Sequence, residues 1–562
     1  MATRDGNTPL HIAAGKNNTA EVSQLLAHKQ CDLNAQNKEG DTPLHIACRS
    51  KFYEVIRLLL KRRCSTNIPN MKGETAQEFS LNEDGDRLLH LACQWSDVSI
   101  IKHLISDPRC NPNIRGSCSN TPLHVAVKHK QSFDVIAELL SCRKCNPNLQ
   151  NKEDDTPLHI AVKHEQNETI DQLLSCGKCK LNVNNREGDT PLHIAVRENK
   201  IVAFSHLLAH KQCKPNAQNK EGDTPLHIAV TNNHTDVIFK LLAHKHCHLN
   251  AWNKEGDRPL HIAVRNDQSE VILRLLSFSK CDVNCQNRQN DTPLHTAVKE
   301  NKVVALSHLI EHKPCNPNAY NKKGDTPLHI AVKHEQNEAV AQLLSRCNPN
   351  SQDGEGFTPL HIAVGMNNTA AISKLLDHEQ CNPNARNKEG DTPLHVAVTN
   401  NQTAAISKLL ALEHCKPNAK NKEGDTPLHI ACRSQFSGVI RLLLEKRCNT
   451  IIRNKKGETA REIPINEDGD CLLHMACQWG DVSIVKYLVT DQRCNPNIQN
   501  IRGNTPLHVA VKHERNEIIP QLMTSKECNF NVFNREGDTP LHIAVKDNKT
   551  AALSRLVAHK PM

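Results

Sequence analysis

At 562 residues with 38% hydrophobic and 3% aromatic side chains, the chain is too poor in bulky apolar groups for a few large cores but supplied for many thin ones. Its net charge of +9, from 70 basic and 61 acidic groups, permits an anionic partner without demanding one. With so few interleaved aromatics it fits nucleic acid poorly, and no apolar run is long enough to span a bilayer.

From its first residues the chain runs directly into a repeated pattern, so it reads as a cytoplasmic protein with no leader. Thr-Pro-Leu-His, once Arg-Pro-Leu-His, ends at His11, His45, His124, His159, His193, His227, His261, His295, His329, His361, His395, His429, His508 and His542, and Leu-Leu-His copies end at His90 and His474. A step of 34 residues, as from His193 to His227, predicts one supersecondary unit that buries its apolar face against copies of itself. Sixteen full units are expected in a single array over 1–562.

Two irregular part-units interrupt the period, near 70–85 and 454–469. Each begins a unit, with Gly73-Glu74-Thr75-Ala76 and Gly457-Glu458-Thr459-Ala460, that never acquires its second helix, and each is expected to be either a hinge or a compact surface loop in a continuous stack. They are related by an internal duplication. Segment 39–133 returns as 423–517 at a constant offset of 384 residues, as in Ala92-Cys93-Gln94-Trp95 and Ala476 to Trp479.

Gly222 to Glu255 shows how one unit is built. Asp223 and Thr224 can cap a helix that opens with Pro225, and Leu226, Ile228, Ala229 and Val230 make it short and apolar until Asn232 and Asn233 break it. Val237, Ile238, Leu241 and Leu242 place four apolar groups on one face of a second helix. The polar segment Cys247 to Asp257 then predicts a turn or hairpin to the next unit. At the far end Ala551, Ala552, Leu553, Leu556 and Val557 repeat the interior pattern, and the sequence stops at Met562 before the hairpin its register calls for, which reads as a piece of a longer array or, alternatively, as an end that a partner covers.

Gly222-Asp223-Thr224-Pro225-Leu226-His227-Ile228-Ala229, the Leu241-Leu242 pair and Asn250 together resemble the ankyrin repeat, and the resemblance covers nearly the whole chain. It implies an all-α repeat solenoid of stacked helix-turn-helix units joined by β-hairpin loops, with structural histidines bonding between neighbouring turns. The family's usual Gly-Ala-Asp after the second helix is replaced here by Cys and often Asn-Pro-Asn, as in Cys110 to Asn113, which leaves the C-cap of that helix unspecified.

Fifteen of the 24 cysteines occupy one repeat position, from Cys31 and Cys64 to Cys494 and Cys528. Stacked layers about 8–10 Å apart exceed the roughly 7 Å limit for a disulfide, so these read as small, buried, reduced thiols. Cys142-Arg143-Lys144-Cys145 and Cys176-Gly177-Lys178-Cys179 are C-x-x-C pairs, but they occupy equivalent sites in adjacent layers rather than one tetrahedron. No Ser/His/Asp order, phosphate loop or carboxylate pair stands out, so no enzyme, metal or cofactor is expected.

Variation at fixed register carries the functional signal. Nine residues before the histidine, where Gln36, Gln218 and Arg386 stand, the array also carries Trp252, Tyr320 and Phe533, which are either contact anchors or hairpin-to-hairpin packing groups. Four residues after the histidine stand Arg49, Lys128, Lys163, Arg197, Arg265, Lys299, Lys333, Arg433, Lys512 and Lys546. In the ankyrin family this helix end and the hairpin line the concave, partner-facing surface, so a basic stripe would suit an acidic protein face. The plain alternative is solvated side chains partly neutralised by Glu39, Glu221 and Glu389. The expected function is a non-enzymatic scaffold or adaptor for proteins, without nucleic acid, membrane insertion or a small-molecule ligand. The alternative is a tether or elastic segment of a larger membrane-associated or cytoskeletal protein.

Overall fold

In the computed structural model, which describes residues 2–83, 85–116, 118–129, 133–491 and 493–558, each motif starts a helix for a local reason. Thr224 is extended, with φ −85° and ψ 165°, and Pro225 takes the first helical position, where its missing N–H costs nothing. The inner helix Pro225–Thr231 ends within two turns. Asn233, at φ 56°, enters the left-handed region and turns the chain into the outer helix Thr235–Ala243.

Every apolar residue expected in this unit is buried, from Leu226 and Ala229 to Leu241 and Leu242. Ala229 is fully enclosed, which lets neighbouring inner helices approach, and Pro225–Thr231 packs on Pro259–Arg265. The outer helix closes without a left-handed cap: the extended His244 donates its N–H to Leu241 O at 3.0 Å, and Cys247 N follows to His244 O at 2.9 Å. That is how this unit dispenses with the family's glycine, whereas Gly177, Arg63 and Arg447 enter the left-handed region just after their outer helices.

The connector to each motif is a tight turn. Asn219 N bonds to Asp223 O at 3.0 Å and Gly222 N to Asn219 O at 3.0 Å. Gly222 is required twice, by its φ of +76° and because a Cβ there would lie 2.9 Å from Lys254 N of the next turn. Among the described residues these turns form no β-strand, and one isolated bridge, Arg453 to Thr459, is the nearest approach to a ladder.

Repeating this pair produces an all-α repeat solenoid. The described helices divide between two compact units, Met1–Asp282 and Val283–Met562, each with eight inner–outer pairs. One part-unit lies in each. In the first, a 3₁₀ turn, Ala76–Glu78, replaces the inner helix and no outer helix follows. The flanking outer helices Tyr53–Lys61 and Val98–Ile105 then pack on each other directly, and His103 Nε2 reaches Cys64 O at 2.8 Å. The second repeats this with Ser437–Glu445 on Val482–Val489 and Tyr487 OH on Cys448 O at 3.0 Å. Helix packing is thus continuous past each part-unit.

The cysteine ladder is less enclosed than its register suggests. All 24 thiols are free, but Cys31, Cys179, Cys213, Cys247, Cys281, Cys415, Cys494 and Cys528 of the fifteen are only half-buried. They stand where the chain leaves the outer helix, at the edge of the apolar layer.

Candidate functional site

The polar rungs between units decide which side chains remain available to a partner. Thr224 donates its backbone N–H, at 3.2 Å, and its hydroxyl, at 2.8 Å, to Nδ1 of His227. Nε2 therefore carries the ring hydrogen and donates it to Asp257 O of the next unit at 3.1 Å. Burial lowers the pKa of His227 below the ordinary range and holds His124 and His361 down at about 4. These histidines are neutral connectors.

A second rung runs through the aspartate of the motif. Asn219 accepts from Glu221 N and Asp223 N through Oδ1 and donates through Nδ2 to Asp189 Oδ1 of the preceding unit at 3.0 Å. Asp189 in turn binds Arg197, at the basic register of its own unit. Burial pushes Asp189 up, but the Arg197 and Asn219 hydrogen bonds outweigh it and hold the carboxyl below its usual range; Asp41 and Asp425 behave alike with Arg49 and Arg433.

The basic stripe is largely occupied by this network. Arg49 meets Asp41 at 2.6 Å, Arg265 meets Asp257 at 2.6 Å, Lys333 meets Asp325 at 2.5 Å, Arg433 meets Asp425 at 2.7 Å and Lys546 meets Asp538 at 3.0 Å. Lys163 and Lys299 pair likewise with Asp155 and Asp291. The partner is the motif aspartate, not the turn glutamates. Lys128 and Lys512 differ: the motif residue is Asn120 or Asn504, and both lysines are exposed with no ion pair among the described residues. Where Asn7 or Phe357 replaces the aspartate elsewhere, the basic position is Gly15 or Gly365.

The turn register has its own ladder. Gln36, Gln150, Gln218, Gln352 and Gln499 each donate to the backbone carbonyl at the same register one unit on, as Gln218 Nε2 does to Trp252 O at 2.7 Å. Arg386 belongs to this ladder through Lys420 O at 2.7 Å. Trp252, Tyr320 and Phe533 replace the amide with a ring and remain 61%, 48% and 61% exposed. Trp252 has the Arg258 guanidinium 5.6 Å from its centroid and borders a cleft of about 710 Å³ that His244, His246, His248 and Phe278 also line. Among the described residues no three His, Cys, Asp or Glu side chains are placed to hold a metal.

The sequence reading found the basic and aromatic registers but missed the carboxylate that satisfies the first and the amide ladder that isolates the second. The usable signal was spacing along the array: every cation four residues after the histidine has Asp four residues before it, save Lys128 and Lys512, although Asp86, Asp223, Asp391 and Asp470 face Gln94, Thr231, Thr399 and Gln478 instead.

An all-α solenoid of helix pairs stacked through histidine rungs defines the class. The ankyrin-repeat family, in a three-copy description, matches residues 1–70, 72–151, 123–219, 203–287, 269–353, 331–421, 399–500 and 473–561, and the chain belongs to it. Ankyrin repeats are in general non-enzymatic protein–protein interaction modules. No described helix is long and apolar enough to cross a membrane.

Proposed function

We propose that this chain is a non-enzymatic cytoplasmic scaffold or adaptor that holds protein partners along its turns and inner-helix ends. Trp252 in the first compact unit, and Tyr320 and Phe533 in the second, anchor contacts within their own units, where Lys128 and Lys512 respectively add charge available to an acidic partner. The observation that carries the reading is the three rings at a register where other units spend an amide on the next turn. A half-exposed aromatic there contributes no rung, yet it presents the rigid apolar surface on which interface hot spots are built. The paired residues Arg49, Lys163, Arg197 and Arg265 in the first unit, and Lys299, Lys333 and Arg433 in the second, stand at the inner-helix ends of their own repeats as partly exposed members of ion pairs rather than as free cations.

The test is capture of a specific protein from cytosolic extract by the native chain and by Trp252→Ala/Tyr320→Ala/Phe533→Ala, at two salt concentrations. The variant should lose the partner while melting within about 2 °C of the native chain, since exposed substitutions cost little. Lys128→Gln/Lys512→Gln should weaken capture mainly at low salt. A large fall in melting temperature with the partner retained would make the rings packing groups and end the proposal.

A further inference from the structure

The cleft of about 710 Å³ bordered by Trp252 opens where the outer helix Thr235–Ala243 ends, and every residue lining it lies in the first compact unit. Leu242 and Leu249, both buried, give it an apolar base, and Trp252 and Phe278 give it two rings. Its frame is fixed by the array's own ladders. Asn216 Nδ2 donates to His246 O at 2.6 Å while Asn216 Oδ1 accepts from His248 N at 2.8 Å. Gln218 holds Trp252 O at 2.7 Å, and Asn250 Nδ2 holds Lys280 O at 2.7 Å. A guanidinium also lies against each ring, Arg258 at 5.6 Å from the Trp252 centroid and Arg274 at 5.3 Å from that of Phe278. With these backbone groups spent on the fold, recognition in the cleft falls to side chains.

Those side chains have one sign of charge. No acidic residue lines the cleft, whereas Lys245 and Lys280 do, both exposed and neither in an ion pair among the described residues. The imidazoles of His244, His246 and His248 stand beside them. The junction after Tyr320 is built differently. At the register of Phe278 it carries Arg346, whose guanidinium turns back onto His312 O at 3.3 Å and Lys313 O at 3.1 Å. There one ring meets a cation already committed to carbonyls, while the Trp252 junction joins two rings beside two uncommitted ammonium groups.

We propose that this cleft takes an acidic peptide segment, in which one bulky apolar side chain seats against Trp252 and Phe278 and flanking carboxylates meet Lys245 and Lys280. The inference rests on the contact role proposed for Trp252 and gives that contact its chemistry. Two rings over a leucine base call for a large apolar group, and a lining with cations and no acid calls for anions. A phosphate finds no cradle here: the cleft sits at the C-terminal ends of outer helices, whose carbonyls disfavour a concentrated anion, and the His248 N–H is already held by Asn216. Single carboxylates spread along a peptide can each meet one ammonium group on its flexible stem.

The test is calorimetric titration of the full chain with acetyl-aspartyl-glutamyl-phenylalanyl-glutamyl-aspartyl amide, with its asparagine and glutamine counterpart, and with its alanine-centred counterpart. The acidic aromatic peptide should occupy one site per chain at least tenfold more tightly than either counterpart, and weaken as salt rises. Trp252→Ala and Phe278→Ala should each cost at least tenfold. Lys245→Gln/Lys280→Gln, which touches only exposed groups, should bring the acidic peptide down to the level of its uncharged counterpart and leave that counterpart unchanged, a result that misfolding would not give. Tyr320→Ala/Phe533→Ala must bind as the native chain does, and adenosine triphosphate must not displace the peptide. Equal binding of charged and uncharged peptides, indifference to the lysine substitutions, displacement by the nucleotide, or no binding at all would overturn the proposal. If no peptide binds while the three-ring variant still loses its captured partner, this inference alone fails and the turn-register reading stands.

Discussion

The complete unit at 222–255 and the part-unit at 70–85 begin alike and end differently. Asn253 donates to Asp223 at 2.9 Å in one, and Asn70 to Asp41 at 3.0 Å in the other. His227 reaches Asp257 O at 3.1 Å, and His45 reaches Glu74 O, also at 3.1 Å. Only the complete unit then grows an outer helix. The polar rungs therefore set the stacking register by themselves, whereas the outer helix supplies apolar burial that neighbours can partly replace. Where that helix is absent the register survives and a cavity opens on the uncovered side, of about 360 Å³ at the first part-unit and about 310 Å³ at the second.

The largest effect should come from breaking the rungs in both regions at once by acid. The rung histidines His227, His45, His124 and His361 have folded pKa values depressed below the unfolded 6.5, so the unfolded chain binds more protons below that pH. Their contribution is complete above pH 6.5 and is lost as pH falls towards the folded values. For a residue held at about 4, as His124 and His361 are, the loss at pH 5 is about 2 kcal/mol. Denaturation midpoints measured at pH 7.5, 6 and 5 should fall steeply and reversibly. A flat profile would mean that the rings are not held neutral.

Next in size is the loss of one rung. His227→Ala and His45→Ala should each cost about 3 kcal/mol locally, from the buried ring and the stranded Thr N–H and carbonyl groups. The consequences should diverge. At His227 the outer helices Thr235–Ala243 and Ser269–Leu276 still clasp the junction. At His45 the ring also packs edge-on against Phe79, with centroids 5.9 Å apart, and the part-unit it joins has no outer helix. Hydrogen exchange should show His45→Ala releasing residues 2–68 as a separate opening, with no such boundary near 227. Equal spreading in both variants would show that the outer-helix contacts across 70–85 carry the junction.

Much of this was readable from the residues. Fourteen motif copies in register specify two short helices and a turn, and the Leu, Ile, Val and Ala positions are the buried ones wherever a following unit covers them; in the last described unit Leu541 and Val545 hold the same positions and are exposed. What escaped the sequence depends on geometry between residues that no period links. Asp189 and Arg197 meet because the extended Thr190 reverses the chain before the helix, bringing a turn carboxylate beside the helix end. The cavities were invisible for a similar reason: missing residues announce a missing helix, but not whether its neighbours close the gap. The thiol ladder reads as buried from its fixed repeat position and layer spacing, yet eight of its members are half-buried because the chain leaves the apolar layer at the end of the outer helix.

The smallest effects should separate the paired basic register from its two exceptions. Asp189→Asn keeps an acceptor for Asn219 but leaves Arg197 unpaired, and since Arg197 is 43% exposed the cost should be only about 1 kcal/mol. The reverse change, Asn120→Asp, gives Lys128 the carboxylate that Lys163 already has in Asp155, while the Asn151 amide, 3.1 Å from Asn120 Oδ1, accepts the exchange without moving. It should stabilise by about 0.5 kcal/mol, an effect that fades in high salt. Denaturant titration can read both signs, and partner capture gives the sharper comparison. If Lys128 is retained unpaired for contact, Asn120→Asp should stabilise the fold and weaken binding together, a combination that a merely solvated lysine would not produce.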